Sequence, residues 1–342
     1  MTTETETHPP TIEDVARVAG VSRAAVSKVI RDAYGVSPAM RERVNSAIDS
    51  LGYRPRISAR GMRGSTYTLG IEIPDFFNQF FPTVVAGATA ALSGGPYQLV
   101  IAPADPAHAD GYRAIQALAD RQVDGVVAVS PMVDPEWLEK LATRIPLVML
   151  GRHDTSRHYD TIVGDDAAGA RMAVEHLLAL GHRDIVHLTL ADEITQCHPG
   201  TPHGIRLATY STVMREAGLA DRIRVVRAGP GQDAAYREAR AMLDGPNRPT
   251  AVFASHDEPA LGVLRAVAEA GLGPHDVSVV GYDDTDIASH PLMSLTSVNQ
   301  AGTRMGERTV ALLLERIAGR TEVRHEVLVP RLVARGSSTT PS

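Results

Sequence analysis

The chain has 342 residues and a formal net charge of −6, with 44% hydrophobic and 22% charged residues. These values are typical of a soluble globular protein with two or three domains. The single cysteine, Cys197, excludes an internal disulfide framework. The first ten residues, MTTETETHPP, lack the basic and apolar parts of a signal peptide, and no apolar run has membrane-spanning length. We therefore expect a cytoplasmic protein with a disordered leader at residues 1–10.

Positive charge is concentrated near the start of the chain. Residues 11–64 contain ten Lys and Arg against five Asp and Glu, a net charge of +5, so the rest of the chain carries −6 − 5 = −11. A small basic segment on a large acidic body is the asymmetry expected of a DNA-binding head. Chance clustering of charge on a solvated surface is the alternative at this point.

Residues 11–54 show the pattern of three short helices. Thr11 stands at an N-cap position before apolar residues with helical spacing, and Gly20 ends that helix. Ser22 caps a second helix, and Ser37-Pro38 begins a third. Two short helices joined by a glycine turn and braced by a third form a helix-turn-helix. A generic three-helix bundle has the same pattern, so the pattern alone leaves both readings open.

In a helix-turn-helix, the second helix enters the major groove with its N-terminal residues on base edges. Arg23 is suited to bidentate contact with guanine, and Ala24 and Ala25 to methyl contacts with thymine. Phosphate contacts are predicted for Ser22, Ser27 and Lys28.

The segment RISARGMRG is too polar for a core helix and is predicted to fold only on docking. Met62 is an apolar side chain among arginines, which suits a wedge between base steps of the minor groove. Arg60 and Arg63 would then lie on the phosphates. Packing of Met62 on the body of the protein is the alternative.

The stretches TIEDVARVAGVS, VSK, VSPAMRERV, AIDSLGYRP and ARGMRG resemble the head and hinge of the LacI/GalR (lactose-repressor/galactose-repressor) family, and the similarity extends from about Thr11 to Ser337. The resemblance implies a homodimer on a pseudo-palindromic DNA operator, with two hinge helices side by side in the minor groove. The predicted DNA-binding residues are Thr11, Ser22, Arg23, Ala24, Ala25, Ser27, Lys28, Arg31, Ala59, Arg60, Met62 and Arg63.

Four positions depart from the family pattern. Met62 replaces the usual hinge leucine, and Ala25 replaces the usual threonine of the recognition helix. Arg31 stands in place of an asparagine, and Met40 in place of the threonine of VSxxTR. Methionine keeps an apolar wedge, but Ala25 and Arg31 leave the operator sequence open.

From Thr68 onward, short apolar runs alternate with amphipathic helical stretches, which predicts an α/β body with parallel, doubly wound sheets. A break near Asp160 indicates two lobes, and the resemblance implies that they are built like the periplasmic sugar-binding proteins. The predicted domains are a helix-turn-helix at 11–54, a hinge and linker at 55–66, and an effector and dimerisation domain at 67–337. Lobe 1 is predicted at about 67–162 and 295–320, and lobe 2 at about 163–294 and 321–337.

In parallel sheets of this kind, ligands sit beyond the carboxyl ends of the strands, here in a cleft between lobes. Aromatic rings beside hydrogen-bonding groups suit a sugar, so we assign Phe80 or Phe81 to the ligand, whereas Phe76 and Phe77 are expected to cap the core of the lobe. The predicted effector-binding residues are Asp75, Asn78, Phe80, Phe81, Arg152, Arg206, His256, Asp283 and Gln300.

The family resemblance bears on part of this set. Arg206, Asp283 and Gln300 match ligand-contacting positions of the family, whereas His256 stands where an asparagine is common. Gly151 and Thr209 also depart from the usual aspartate and glycine. We therefore expect a small-molecule effector, a mono- or oligosaccharide, and leave its identity open.

Other classes of protein fit less well. The chain lacks a GxSxG elbow, a GKS or GKT phosphate loop and a GxGxxG after the first strand, so we expect no enzyme and no cofactor. Cys197-His198 with His203 is interpreted as part of a flexible loop and not as a metal site. A transport protein would need an export signal. A regulator controlled by a non-sugar metabolite or a protein partner remains the alternative.

The predicted mechanism is conformational coupling. Ligand closure of the cleft rotates the first lobes of the dimer, separates the hinges and withdraws Met62 from DNA, and a corepressor would use the same parts in reverse. Dimer contacts are predicted on the faces Phe81–Leu92 and Tyr112–Asp120. The tail RGSSTTPS has no heptads, so no coiled-coil tetramerisation segment is expected.

Overall fold

The protein is described from a computed structural model, which covers residues 9–30, 34–54, 65–104, 111–191 and 200–342. The chain divides into two compact units between Thr66 and Tyr67. Each unit is described by itself. No described helix combines the length and the apolar character needed to cross a bilayer.

The first unit contains three helices, α1 (Ile12–Ala19), α2 (Arg23–Ile30) and α3 (Pro38–Leu51). Thr11 and Asp14 form a reciprocal capping box at the start of α1, and Gly20 ends this helix in the left-handed conformation. Val15, Val26 and Val44, one from each helix, are fully buried against one another in a single apolar cluster. The predicted helix-turn-helix arrangement is therefore present.

The second unit alternates strands and helices. Its first part contains β1 (Thr68–Ile73), α4 (Phe80–Ala91), β2 (Gln98–Pro103), α5 (Tyr112–Asp120), β3 (Gly125–Val129), α6 (Pro135–Ala142), β4 (Leu147–Leu150) and β5 (Asp160–Gly164). Then follow α7 (Asp166–Ala179), β6 (Ile185–Leu190), α8 (Pro202–Glu216), β7 (Arg224–Ala228), α9 (Gln232–Asp244), β8 (Ala251–Ala254), α10 (Asp257–Glu269), β9 (Ser278–Asp283), α11 (Asp286–Ser289), β10 (Thr296–Asn299), α12 (Gly302–Ile317), β11 (His325–Leu328) and β12 (Arg331–Val333).

These strands form two six-stranded sheets, one in each lobe. The order in lobe 1 is β11-β5-β4-β3-β1-β2, with all neighbours parallel. The order in lobe 2 is β12-β10-β9-β8-β6-β7, and only β12 is antiparallel to its neighbour. Most strand residues are buried, as expected for parallel sheets covered by helices on both faces.

The predicted lobe boundaries need correction. β10 pairs with β9 in lobe 2, although residues 295–320 were predicted in lobe 1, and β11 pairs with β5 in lobe 1, although residues 321–337 were predicted in lobe 2. The chain therefore crosses between lobes after β5, after β10 and again between β11 and β12. The residues after 337 also belong to lobe 2, since the Thr339 N–H donates to Ser278 Oγ and the Ser342 N–H to the His275 carbonyl.

Helices α4 and α12 touch backbone to backbone in lobe 1. A Cβ at Gly87 would lie 2.0 Å from the Thr303 carbonyl oxygen, and a Cβ at Gly306 would lie 2.0 Å from the Val84 carbonyl oxygen. Only glycine fits at either position. The contact joins two distant parts of the chain, because α4 precedes the crossing after β5 and α12 follows the crossing after β10.

Glu72, near the end of β1, is a fully buried carboxyl group. Its Oε2 accepts a 2.9 Å hydrogen bond from the Val129 N–H, and its Oε1 has no hydrogen-bond partner among the described residues. Burial raises the pKa of Glu72 to about 8, although the Val129 hydrogen bond and the charge of Arg152 both act to lower it. Between about pH 4.5 and pH 8, the Glu72 carboxyl group is therefore protonated in the folded protein and ionised in the unfolded chain.

We expect Glu72→Gln to remove one source of alkaline destabilisation. Because the pKa of Glu72 is raised on folding, its contribution is fully present below the unfolded value of 4.5 and is lost as pH rises through about 8. The free energy of unfolding should fall in this window by at most about 1.4 kcal/mol per pH unit. Urea unfolding from pH 5.5 to 9 should show the variant gaining on the wild type as pH rises, and parallel profiles would contradict this assignment.

Candidate functional site

The exposed side of α2 carries most of the predicted major-groove residues. Ser22 caps the helix, with its Oγ accepting from the Ala25 N–H, and Arg23, Ala24 and Lys28 are exposed beside it. Arg23 donates to Glu13 Oε1 at 2.7 Å, and both side chains are about two-thirds exposed. An exposed pair of this kind contributes little to stability, so the guanidinium can exchange Glu13 for a base edge.

Some of the remaining predicted DNA-contact residues are described by the structure, and the others lie outside the described part of the chain. The Thr11 hydroxyl is used in the α1 capping box, and Ser27 and Ala25 are half-buried on α2. Contact with DNA stays a prediction for these residues. Arg31, Ala59, Arg60, Met62 and Arg63 lie outside the described residues, as does Cys197-His198.

Arg206, at the start of α8, is the centre of a buried network in lobe 2. It donates to Asp166 Oδ1 at 2.8 Å and to the Ser255 carbonyl at 2.6 Å, and its guanidinium lies 3.5 Å from the ring centroid of Tyr282. Burial would raise the pKa of Asp166, but the charge of Arg206 and the hydrogen bond with His153 outweigh it and hold that pKa below its usual range. The pair is therefore ionised and almost wholly removed from solvent.

His153 joins this network to lobe 1. Its Nε2 lies 2.9 Å from Asp166 Oδ2, and its backbone N–H donates to the Gly200 carbonyl at 2.9 Å. His153 follows β4 in lobe 1, whereas Asp166 and Gly200 belong to lobe 2. Asp166 thus connects a predicted effector residue, Arg206, to the opposite lobe. His153 was not among the residues predicted from the sequence, although it stands at a strand end beside the predicted residue Arg152.

Asp283 and Gln300 meet where β9 and β10 end. Gln300 Nε2 donates to Asp283 Oδ1, and Asp283 Oδ2 is buried without a partner among the described residues. Asp283 has a φ of 115°, a strained conformation for a residue with a side chain. Burial raises the pKa of Asp283 well above its usual range, and the neighbouring Asp257 adds to the effect while Arg206 opposes it. The structure thus places Asp283 and Gln300, two of the predicted effector-binding residues, in direct contact.

Asp284 has a different role from its neighbour. It accepts from Asn299 Nδ2 at 2.7 Å and from Arg335 at 2.6 Å. Both partners belong to segments that border the crossing between lobes. Asp284 therefore braces these loops.

Two histidines lie beside the same network. His256 has its Nδ1 at 3.1 Å from Ser255 Oγ, and its ring centroid is 5.4 Å from that of His203. His203 Nδ1 is buried without a described partner, and burial, with the charge of Arg206, lowers the pKa of His203 well below its usual range. A neutral imidazole offers one donor and one acceptor nitrogen. In the part of the chain that the structure describes, no group of three or more His, Cys, Asp or Glu could hold a metal ion.

The aromatic residues after β1 differ from expectation. Phe76 and Phe77 were predicted to cap the core, but they are 51% and 76% exposed. Phe80 is instead buried in the apolar cluster of lobe 1, with Phe81 partly buried against it. Phe80 is the first residue of α4 and lies on the buried face of that helix. Phe76 and Phe77 lie in the loop before the helix and remain exposed. Ligand contact by Phe80 or Phe81 stays a prediction, but the exposed rings are Phe76 and Phe77.

The polar residues of the same loop are partly used in local structure. Asp75 Oδ1 accepts from the N–H groups of Phe77 and Asn78, and Asn78 Oδ1 accepts from the Phe80 N–H. These bonds shape the turn that precedes α4. Asp75 and Asn78 are half-buried and keep further polar atoms for a ligand.

Arg152 does not fit its predicted role as an effector ligand. Its guanidinium donates to Asp154 and to the carbonyl groups of Pro131 and Val133, and its side chain is 1% exposed. Tyr159 donates to the same Asp154 at 2.6 Å. All of these partners lie within lobe 1, so Arg152 stabilises the loop after β4. A strand-end position alone cannot distinguish such a residue from a ligand contact.

Comparison with known proteins agrees with this architecture. Residues 11–56 match the family model of bacterial regulatory proteins, lacI family, and residues 174–338 match a periplasmic binding protein-like domain. The HTH-type transcriptional repressor PurR of Vibrio atlanticus is 31% identical over 336 residues, which cover 96% of this chain and 99% of the relative.

Two solved structures are similar over nearly the whole chain. A complex of the transcriptional regulator CelR with cellobiose has 32% identity and a TM-score of 0.67, covering 96% of this chain and 99% of that one. The lac repressor dimer bound to operator and the anti-inducer ONPF has 27% identity and a TM-score of 0.78, covering 97% and 100%. The predictions of fold class, of a DNA-binding regulator and of a non-enzyme are confirmed. The chain belongs to the lacI family of bacterial regulatory proteins, DNA-binding transcriptional repressors with a sugar- or metabolite-binding effector domain.

Proposed function

We propose that this protein is a homodimeric repressor whose affinity for a pseudo-palindromic operator is set by a sugar bound between the two lobes. The observation that carries the proposal is the buried Arg206–Asp166–His153 network, which links a predicted effector residue of lobe 2 to lobe 1. A ligand that alters the contacts of Arg206 changes the contact between the lobes. CelR, the relative in complex with cellobiose, supports a sugar as the ligand class.

The DNA-binding residues of this proposal lie on α2 and in the hinge at 55–66. Arg23 reads base edges in the major groove, and the hinge segment with Met62 enters the minor groove. Closure of the cleft changes the spacing of the two hinges of the dimer and therefore the affinity for the operator. The protein acts in the cytoplasm, at the nucleoid when it is bound to its operator.

Homodimerisation uses lobe 1 in this proposal. β2 lies at the edge of its sheet, and its apolar residues Val100 and Ile101 are exposed. Together with one face of α5, from Arg113 to Leu118, they line a groove of about 520 Å³. The groove includes part of the α5 face, one of the two faces predicted to form dimer contacts. An exposed apolar edge of a sheet is a typical site of association with a second chain.

Fluorescence anisotropy tests this function directly. The purified full-length chain is titrated onto labelled duplex DNA from upstream of its own gene, with random DNA as the control, and then with a panel of sugars and nucleobases. We expect tight binding to one duplex at 0.15 M salt and a change in affinity with one sugar. Equal affinity for random DNA would contradict the repressor, and control by a nucleobase alone would favour the non-sugar alternative.

A further inference from the structure

We propose that Glu13 is a positioning residue for DNA recognition: it holds the guanidinium of Arg23 ready for a base edge and makes this guanidinium a poor partner for phosphate. The two side chains connect the first two helices of the head, with Arg23 Nη1 on α2 lying 2.7 Å from Glu13 Oε1 on α1. The inference rests on the proposed function in one point, the assignment of Arg23 to a base edge.

Both residues of this pair stand on well-fixed backbone. Glu13 lies in the capped first turn of α1, and Arg23 is the first residue of α2, directly after the cap residue Ser22. The two helices pack together through one apolar cluster, in which Val15 and Val26 are fully buried. The freedom that remains in the pair is therefore that of the two side chains. A bond between them restricts the rotamers of Arg23 before DNA arrives.

The bond to Glu13 leaves Arg23 able to read a base. A guanidinium carries five N–H donors in a planar fork, and guanine takes two of them through O6 and N7. The contact with Glu13 uses one N–H of Nη1, so Nε, Nη2 and the second N–H of Nη1 remain for a base. Arg23 can therefore contact guanine without releasing Glu13, and part of its side-chain entropy has already been lost in the free protein.

The same bond weakens Arg23 as a ligand of phosphate. Binding to random DNA depends on the neutralisation of phosphates by lysine and arginine. The carboxylate of Glu13 already neutralises Arg23, so a phosphate oxygen at Arg23 would lie close to a second negative group. A base edge carries no net charge and meets much less of this repulsion. The pair should therefore lower the affinity for random DNA more than the affinity for the operator.

Support of the fold does not account for the pair. Both side chains are about two-thirds exposed, and an ion pair of this kind contributes little to stability. The neighbouring acid of the same turn, Asp14, has the structural task, because it completes the capping box with Thr11 and also pairs with Arg17. The carboxylate of Glu13 instead reaches across the helix turn to α2.

Fluorescence anisotropy with Glu13→Gln tests the inference on the full-length chain. Affinity is measured at physiological salt for the operator duplex from upstream of the gene and for random DNA of the same length. We expect the ratio of the two affinities to fall at least about fivefold in the dimer, or about twofold for each half-site, as is usual for side chains in direct contact. Much of this change should be tighter binding to random DNA. An unchanged ratio would overturn the proposal.

Two controls separate positioning from the simple loss of a negative charge. Glu42→Gln removes the same charge from an exposed position on α3, and it should change the affinities for both duplexes by the same factor. In the Arg23→Ala background, Glu13→Gln should leave the ratio unchanged, because the side chain that it positions is gone. A fall of about fivefold in either control would overturn the proposal. The melting temperature should stay nearly constant, since the substituted positions are exposed.

The salt dependence of binding gives a second readout, which a purely structural role of Glu13 would not change. In Glu13→Gln, Arg23 is free to bind a phosphate of random DNA. The slope of log affinity against log salt should then steepen by about 0.9 for each new phosphate contact. A slope equal to that of the wild type would contradict the charge argument.

The two proposals fail in different ways. Equal weakening of operator and random DNA by Arg23→Ala alone would contradict base contact by Arg23 and, with it, the positioning role of Glu13. An operator-specific loss in Arg23→Ala, without any effect of Glu13→Gln on the ratio, would leave the proposed function intact and overturn this inference alone.

Discussion

Replacement of Arg206 by alanine is expected to abolish the response to the effector while leaving the DNA-binding head able to bind its operator. The variant loses the ion pair with Asp166, the hydrogen bond to the Ser255 carbonyl and the contact with Tyr282. Asp166 then remains buried without its cationic partner, which typically costs about 3–5 kcal/mol. The link from Asp166 to His153, and hence between the lobes, is weakened by the same change.

The measurement is operator affinity with and without the effector, at a temperature below the melting transition of the variant. Arg171→Ala is the matched control, because Arg171 is an exposed arginine of α7 that pairs with Glu175 and Glu216 away from the cleft. The control should keep the full response. An undiminished response in Arg206→Ala would refute the assignment of the cleft.

Arg23→Ala is expected to lower operator affinity by about 2–6 kcal/mol in the proposed dimer, since each half-site would lose one base contact worth about 1–3 kcal/mol. The loss of the exposed pair with Glu13 should leave the stability of the head almost unchanged. Random DNA should show a much smaller loss, because its affinity depends mainly on phosphate contacts.

Lys28→Ala serves as the comparison for Arg23→Ala. Lys28 is exposed on the same helix and is assigned to phosphate, so its loss should weaken operator and random DNA alike and should reduce the dependence of binding on salt. If Arg23→Ala weakened both duplexes equally, Arg23 would be a phosphate contact and the assignment of base readout to α2 would fail.

The head was predictable because its signals are local. The Thr11 capping box, the left-handed Gly20 and the Ser37-Pro38 start of α3 lie within a few residues of the structure that they determine. The alternation of strands and helices in the body was predictable for the same reason. Each pattern is contained in a short window of sequence.

Strand pairing and side-chain partners depend on distant segments, and here the sequence was less informative. Nothing within Thr296–Asn299 indicates that this strand pairs with β9 in lobe 2. Arg152 and Arg206 both stand near strand or helix ends, but one is occupied by Asp154 within its own lobe and the other lies at the crossing between lobes. Phe76 and Phe80 have the same chemistry, and only the start of α4 decides which of them is buried.

The backbone contact between α4 and α12 has a consequence for synthesis of the chain. The ribosome makes α4 early and α12 only after all of lobe 2, an interval on the order of ten to forty seconds at usual elongation rates. During that time α4 can pack on the strands of lobe 1, but its face at Gly87 lacks the partner helix α12. Lobe 2 has β6 to β10 in one continuous stretch. The five parallel strands of lobe 2 can therefore pair before lobe 1 receives α12 and β11, and only β12 at the edge of the lobe 2 sheet is made later.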